Sequence, residues 1–494
     1  MPTRHLPNDP SLEHLKNEAR TLQRQVRAGT AEALEAVREL HPSPGEPTTF
    51  RLADAQLVVA RGYGFPSWPR LRRHLETIAR YSRSPHKQPV GGPLNGPADL
   101  ADEFLRLACL TYGGDERARH QRARELLAEH PQIARATIYT MAAVGDVAAA
   151  RALLAADPSQ AGREGGPYAW EPLLYLAYSR LDSTQMRHSP LDVARMLLGR
   201  GAHPNAGYLW EGLTSPFTAL TGAFGGGEDA VNQPPHRHAM ELARLLLEAG
   251  ADPNDSQALY NRQFNPVNDH LELLFEYGLG RGDGGPWHAR LAPAHPTPQQ
   301  MIEDQLLWAV HSNMVERVHL LLRHVVHVDG HGTEHPALGR RSAHEIAVRH
   351  GNTEIAELLL EAGATPVPLD LVQSFLAACM RADRAAVDEL LAADPTLTMQ
   401  AVAAAPERVI QAAELGRLAA VRLMAELGFD VNVIRRTSAL HRAAYAGDLE
   451  MAKLLLELGA DPGGRDTEFD ATPLGWAQHN QQHEVAEYLA ERTP

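Results

Sequence analysis

The sequence has few cysteines and no long apolar run, and each shortage excludes a class of protein. Cys109 and Cys379 are the only cysteines among 494 residues, too few for a disulfide framework or a Cys-rich zinc site. No apolar run reaches the length of about 18 residues that a membrane span needs. Residues 1–10 are polar and lack the apolar core of a secretory signal peptide. We therefore expect a cytoplasmic protein in a reducing compartment, with no membrane partner.

Basic residues are also outnumbered, 47 Lys and Arg against 61 Asp and Glu, so the net charge is -14. Such a charge opposes binding to nucleic acid phosphates, and we expect no nucleic acid partner. Residues 1–90 are the exception, with 14 basic and 9 acidic residues. This pattern indicates either ordinary surface variation or a basic head that docks on a partner. The acidic remainder should prefer a partner with a basic surface.

Two phrases recur along the chain and together describe a helical hairpin. Residues 245–254, 358–367 and 454–463 share a Leu-Leu-Leu-Glu run followed by Gly-Ala, and then by Asp or Thr and Pro. The leucines form the apolar face of a short helix, the glycine ends it, and the proline favours a turn. An earlier phrase, best seen in residues 438–448, has Ser or Thr as a helix cap followed by small residues. The sequence thus predicts repeated units of a turn and two antiparallel helices.

This pattern resembles the ankyrin-repeat family, whose motif is Thr-Pro-Leu-His-x-Ala with a period of about 33 residues. Residues 437–463 match the motif best, and residues 472–477 begin with its Thr-Pro-Leu. The resemblance covers about residues 98–494. It implies an all-α fold, an ankyrin-repeat solenoid of about ten stacked helix-turn-helix units. It also implies a binding scaffold that recognises another protein through the concave finger face of the array.

The rest of the chain divides around this array. Residues 1–81 predict an N-terminal helical domain of three or four helices, with Ser11 capping the first and Gly29 ending it. This head is similar to the helical extension before some bacterial ankyrin arrays, so we expect a bacterial protein. Residues 82–97 form a Pro/Gly linker. Residues 179–190, 222–238 and 280–300 exceed the repeat length, and we expect these insertions to be loops on the binding face.

Aromatic residues provide the clearest candidate binding site. Residues 168–171 and 208–211 both read Tyr-x-Trp-Glu, just before a first helix in consecutive units. Exposed Trp and Tyr are typical anchors of a protein interface. Alternatively, these rings fill the core between irregular repeats. The candidate partner-binding residues are Tyr168, Trp170, Glu171, Tyr175, Tyr178, Tyr208, Trp210, Glu211, Phe217 and Trp287.

A second interpretation is a small-molecule pocket, catalytic or not, closed by the insertions. Such a pocket would be deep and lined by Trp170, Trp210 and Trp287. Its acid/base candidates are Glu171, Glu211, His236 and His238. No known catalytic motif is present, because the GxGxxG match at residues 280–285 follows no predicted strand. Whether the chain is an enzyme stays open, and we expect no cofactor.

Histidines are concentrated in residues 311–350, which hold eight of the 25. The densest run contains His324, His327, His331 and His335, a composition that suits zinc or nickel. The repeat register also accounts for many of these histidines, since His327 falls in a turn. We therefore expect no metal site, and these four residues are the candidates if one exists.

Overall fold

The structure, a computed structural model, describes residues 4, 6, 11–92, 94, 96–181, 188–324 and 327–492. It is mostly helical, with 59% helix and 3% strand, so the predicted fold class is confirmed at that level. The chain forms two compact units, Met1–Met301 and Ile302–Pro494. No helix in the described ranges is both long and apolar enough to cross a bilayer.

The head of the first unit is a bundle of four helices. They are α1 (Leu12–Arg27), α2 (Ala31–Leu40), α3 (Leu52–Gly62) and α4 (Trp68–Tyr81). The predicted start and stop of α1 are confirmed, because Ser11 Oγ accepts a hydrogen bond from the His14 N–H and Gly29 has a φ of 75°. Buried Leu15 and Val59 belong to the core that joins the helices.

After the head, the helices of the first unit stack in chain order. They are α5 (Pro97–Ala108), α6 (Arg117–Glu129), α7 (Ile138–Val144), α8 (Val147–Ala156), α9 (Pro172–Tyr178), α10 (Pro190–Gly199), α11 (Ala219–Phe224), α12 (Ala239–Glu248), α13 (Ser256–Arg262), α14 (Asp269–Glu276) and α15 (Gly285–Leu291). Short 3-10 helices span Pro47–Thr49, Pro85–Lys87, Pro131–Arg135 and Pro158–Gly162. Helices α5, α7, α9, α11 and α13 form one layer, and α8, α10, α12 and α14 form the other.

A small sheet departs from the all-α expectation. Its strands are β1 (Ser82–Arg83), β2 (Gly207–Trp210) and β3 (Pro216–Thr218), in the order β1-β2-β3. Strand β1 runs parallel to β2, and β3 runs antiparallel to it. The predicted linker at residues 82–97 therefore begins with ordered backbone, since β1 satisfies the polar groups along one edge of β2.

The insertions are more structured than loops. Residues 280–300 contain α15, because Trp287 and Leu291 bury their side chains there. The insertion at 222–238 starts with the end of α11, and its backbone is held by a bond from the His236 N–H to the Ala223 carbonyl (2.9 Å). Half of the remaining insertion at 179–190, residues 182–187, lies outside the described residues.

The second unit is a further stack of paired helices, and the division between the units falls within α16. Its helices are α16 (Pro298–His311), α17 (Val315–Leu322), α18 (Ala343–Arg349), α19 (Thr353–Glu361), α20 (Leu371–Met380), α21 (Arg384–Ala393), α22 (Leu397–Ala404), α23 (Arg408–Glu414), α24 (Leu418–Glu426), α25 (Ala439–Ala446), α26 (Leu449–Glu457), α27 (Pro473–His479) and α28 (His483–Ala490). Helices α23, α25 and α27 pack in chain order, as do α24, α26 and α28.

The two recurring phrases act as their residue types predict. In α25, the ring Nδ1 of His441 lies 2.7 Å from Ser438 Oγ, and its Nε2 lies 3.0 Å from the carbonyl of Ala471 in the next turn. Gly447 ends the helix with a φ of 73°, a left-handed conformation that favours glycine. Leu455, from the leucine phrase, is completely buried. The bond from His441 to Ala471 joins this helical pair to the next one.

Candidate binding site at the paired aromatic segments

Six of the predicted aromatic side chains meet in one interior cluster of the first unit. The ring of Trp170 lies 4.6 Å from Tyr168, 4.9 Å from Tyr208 and 5.0 Å from Tyr178, measured between ring centroids. The cluster consists of Tyr168, Trp170, Tyr175, Tyr178, Tyr208 and Phe217, and each is at most 5% exposed. The rings pack on one another as core filling, the alternative that the sequence left open. Because a partner does not reach them in this conformation, their role in partner binding stays a prediction.

Local backbone geometry brings these rings together. The backbone groups of Gly165 and Trp170 exchange two hydrogen bonds, of 3.0 and 3.1 Å, which close a tight loop. The hydroxyl of Tyr175 donates to the Gly165 carbonyl (2.8 Å) and accepts from the Tyr168 N–H (3.0 Å). Gly222 in α11 packs so closely that a Cβ atom there would overlap the ring of Tyr178. The cluster thus requires glycine at position 222.

Three polar donors inside this cluster have no hydrogen-bond partner among the described residues. They are Trp170 Nε1, Tyr178 Oη and Tyr208 Oη, all buried. Burial raises the pKa of both tyrosines well above the ordinary value, so both hydroxyls keep their protons. An unpartnered buried donor costs about 1–3 kcal/mol of stability. Three such donors in one cluster are unusual if its only role is to fill the core.

The other two tryptophans of the candidate set occupy different environments. Trp210 stacks on His86, with centroids 4.4 Å apart, and its Nε1 donates to the Thr111 carbonyl (3.0 Å). Trp287 packs against Leu209, on the opposite face of β2, and its Nε1 donates to the Asn205 carbonyl (3.1 Å). A small recess is lined in part by Trp287 but not by Trp170 or Trp210. This recess therefore does not bring the three tryptophans together.

The two candidate glutamates have separate partners and different acidities. Glu211, in the turn after β2, pairs with Lys87, and its Oε1 lies 3.3 Å from His86 Nε2. The hydrogen bond from Lys87 is the main cause that lowers the pKa of Glu211. Glu171, which precedes α9, is half-buried; burial and then the charge of Glu164 raise its pKa to about 7. Only Glu171 is therefore suited to exchange a proton near neutral pH.

The candidate histidines of the insertion hold its backbone in place. His236 is buried, and its Nδ1 accepts a hydrogen bond from the His238 N–H (3.1 Å). Burial, followed by the charge of Arg180, lowers the pKa of His236 to about 3, so the ring is neutral at physiological pH. The centroids of the two histidine rings lie 5.9 Å apart. In this arrangement His236 contributes a hydrogen-bond acceptor rather than a positive charge.

Sequence reasoning missed Arg180 and Asp255, two buried charged residues beside the aromatic cluster. The Arg180 guanidinium joins α9 to the insertion at 222–238 by donating to backbone carbonyls, those of Ala177, Ser179, Gly222 and Pro234. Asp255 accepts hydrogen bonds from the Thr218 and Thr221 hydroxyls, while burial raises its pKa to about 6. The position of Asp255 just before α13 is typical of a helix cap, so the sequence could have indicated its role. Nothing in the local sequence marked Arg180 as buried.

The histidine run does not converge on a metal site. Among the described residues, no three side chains of His, Cys, Asp or Glu are grouped as metal binding requires. His335 Nδ1 instead accepts from the Ala337 N–H (3.2 Å), and its ring lies 5.4 Å from that of Trp308. His324, His327 and His331 therefore do not join His335 in such a group.

Comparison with known proteins supports the sequence resemblance in the second unit. A family model described as ankyrin repeats matches residues 374–466 and 409–494, with three copies. The predicted ankyrin resemblance is confirmed over this part of the chain. No curated protein matches the sequence. The match covers residues 374–494, and the aromatic cluster lies outside them.

Replacing Trp170 with alanine should destabilise the first unit, because it leaves a cavity in the aromatic cluster. We expect a loss of about 3–5 kcal/mol in the free energy of unfolding, measured by urea denaturation with circular dichroism. Phe264→Ala is the matched control, since Phe264 is 43% exposed, and should cost less than about 1 kcal/mol. Equal losses in the two variants would contradict the interior position of Trp170.

Replacing Glu171 with glutamine should stabilise the protein at alkaline but not at acidic pH. The folded pKa of Glu171 is about 7, whereas an unperturbed glutamate has a pKa of about 4.3. The folded state therefore binds more protons between these values, and its stability falls as the pH rises. We expect Glu171→Gln to add about 2 kcal/mol at pH 8 and little at pH 4.5. Glu272→Gln, at an exposed position of α14, should show no such pH dependence in thermal unfolding.

Proposed function

We propose that this chain, whose residues 374–494 are ankyrin repeats, is a scaffold that binds a protein partner through its finger turns. Ankyrin repeats generally mediate protein–protein interaction. The proposal extends the array to residues 98–494, as about ten stacked units in a cytoplasmic bacterial protein. The partner would lie along the concave finger face and, given the acidic composition, present a basic surface.

The observation that carries this proposal is an exposed phenylalanine on a rigid finger. Phe469 is 64% exposed in the turn before α27. The buried Asp466 carboxylate accepts hydrogen bonds from the N–H groups of Glu468 (2.8 Å), Phe469 (2.7 Å) and Ala471 (3.0 Å). It also accepts one from Trp476 Nε1 (2.9 Å). Because the turn is already ordered, the finger loses little conformational entropy when a partner binds Phe469.

The charge state of Asp466 supports this rigidity. Burial alone would raise the pKa of its carboxyl, but the hydrogen bonds from Phe469, Trp476 and the neighbouring backbone outweigh it and lower the pKa to about 2. The carboxylate is therefore ionised at neutral pH and makes charge-assisted hydrogen bonds, which are the stronger kind. The finger keeps its shape over the physiological pH range.

The preceding finger presents a second apolar side chain, Ile434, which is 39% exposed. The two fingers are joined by a hydrogen bond from the Thr467 N–H to the Arg436 carbonyl (3.1 Å) and by the Arg436–Glu468 ion pair. Apolar anchors surrounded by charged groups are the composition expected at the centre and rim of a protein interface. The two fingers form the best-defined part of the proposed surface.

The aromatic cluster is proposed to support a finger of the first unit. Tyr208 and Phe217 lie opposite each other on β2 and β3, so burial of their rings fixes the base of this hairpin. At its tip Leu213 is 53% exposed, beside the ion-paired Glu211. In this proposal a partner contacts the tip of the hairpin, and direct contact with the buried rings would require the cluster to open.

The finger proposal predicts a specific loss on replacing Phe469 with alanine. Partners are identified by crosslinking and mass spectrometry, and the Kd of each purified partner is then measured by calorimetry. We expect Phe469→Ala to weaken binding about tenfold or more, with an unchanged thermal midpoint. Met399→Ala is the control, since Met399 is 69% exposed on α22, outside the fingers. An unchanged Kd for Phe469→Ala would sink the proposed surface.

The alternative function, small-molecule binding, is favoured by the unpartnered donors of the aromatic cluster. A small ligand with acceptor atoms would satisfy Trp170 Nε1 and the hydroxyls of Tyr178 and Tyr208. Native mass spectrometry tests this directly: purified protein should retain a bound mass, which Tyr178→Phe combined with Tyr208→Phe should remove. Protein that carries no additional mass in either form would leave the scaffold as the only candidate function.

A further inference from the structure

The second unit gathers arginines from segments that are far apart in sequence. Arg341 precedes α18, Arg349 ends it, Arg408 begins α23, and Arg442 lies in α25. All four are at least partly buried. We call these four residues, together with His311 and His350, the arginine cluster. Such a concentration of positive charge is unexpected in a chain whose net charge is -14.

Hydrogen bonds and ring contacts establish the geometry of the cluster. The rings of His311 and His350 lie 4.9 Å apart. The amide nitrogen of Gln411 lies 2.8 and 2.7 Å from the two ring nitrogens of His350, and its amide oxygen accepts from Arg408 (2.5 Å). Arg408 is thereby held beside the histidine pair.

The carboxylates near the cluster do not balance its positive charge. Glu345 lies 3.3 Å from Arg349 and 3.8 Å from Arg341, so two arginines share one carboxylate. Glu414 lies 3.7 Å from Arg442. Among the described residues, no carboxylate lies within ion-pair distance of the Arg408 guanidinium, although Glu407, its neighbour, pairs with Arg435 (3.3 Å).

The closeness of these groups shifts the pKa of several of them. Burial, and then the like charge of Arg349, lowers the pKa of Arg408 to about 10. Burial lowers the pKa of His311; the charge of Glu414 opposes this shift, and the charges of Arg408, Arg341 and Arg442 add to it. The pKa of His350 falls to about 2 for the same first reason, so both imidazoles are neutral. The cluster is thus charged by its arginines alone.

Several donors of the cluster remain without a partner. The Nε–H groups of Arg349 and Arg442 are buried and donate to no described acceptor, and the Arg408 guanidinium donates only to the neutral amide of Gln411. A partly buried charge is costly unless an opposite charge or hydrogen bonds compensate it. An anion with several acceptor oxygens would supply hydrogen-bond acceptors and negative charge to these guanidinium groups.

We propose that the arginine cluster is a binding site for an oxyanion, the phosphate or carboxylate group of a ligand, with Arg408 as its central contact. Guanidinium groups present parallel N–H donors that match the oxygens of phosphates and carboxylates. Because both imidazoles are neutral, they add no further repulsion between positive charges. This site goes beyond the finger proposal and does not depend on it, because it involves other residues and the opposite ligand charge.

The test measures anion binding to the full chain by isothermal titration calorimetry. Inorganic phosphate is one probe and a hexaglutamate peptide is the other, both in chloride buffer at constant ionic strength. We expect at least one probe to bind the wild-type protein, and Arg408→Gln to weaken that binding about tenfold or more. The probe that binds more tightly identifies the source of the oxyanion, phosphate or protein carboxylate.

Arg422→Gln is the matched control, since Arg422 carries the same charge on α24 and its side chain is 56% exposed. It should bind the anion as the wild type does. Arg408→Lys keeps the charge but loses the parallel donors, so it should bind more weakly than wild type. If Arg408→Gln does not fold by circular dichroism, Arg442→Gln takes its place. Failure of both probes to bind the wild type, or equal binding by Arg408→Gln and Arg422→Gln, would overturn the proposal.

Discussion

The helical pairs of this chain are too small to bury their apolar faces alone, and each depends on its neighbours for a core. In the second unit, Ala439, Ala443 and Ala444 of α25 are completely buried, and their small side chains allow α23 and α27 to approach. Leu455 of the paired helix is buried with them. Stacking in chain order follows from this constraint, because the nearest available apolar face belongs to the next pair.

The same constraint explains how the first unit accommodates extra sequence. Each described insertion that departs from the repeat contributes its own buried groups. Trp287 from one insertion packs on Leu209, and Arg180 joins another to α9 through backbone carbonyls. The aromatic cluster fills the interior beneath the β2–β3 hairpin. The inserted residues thus enlarge the core and form hydrogen bonds instead of remaining open loops.

Buried charges in this chain are compensated to different degrees, and we use this contrast to distinguish structural from functional roles. Asp466 is surrounded by N–H donors and Arg180 by carbonyls, so both have their hydrogen bonds within the fold. Such groups order a turn or a loop. Arg408 has a neutral amide as its hydrogen-bond acceptor and like charges nearby. A charged group without an opposite charge nearby gains more free energy from binding a ligand than a group whose hydrogen bonds are already made within the fold.

The sequence alone determined the helical pairs, their caps and the finger turns, because these depend on residues within a few positions of one another. Ser438 and Gly447 begin and end α25 as their chemistry requires. Tertiary structure decided which candidate residues are accessible. Trp170 and Tyr208 become interior only because the segment before α9 packs on β2, which brings together two rings nearly 40 positions apart in the sequence. The arginine cluster brings together residues between positions 311 and 442. No local pattern encodes this arrangement, since side-chain burial and charge compensation depend on neighbours supplied by the fold.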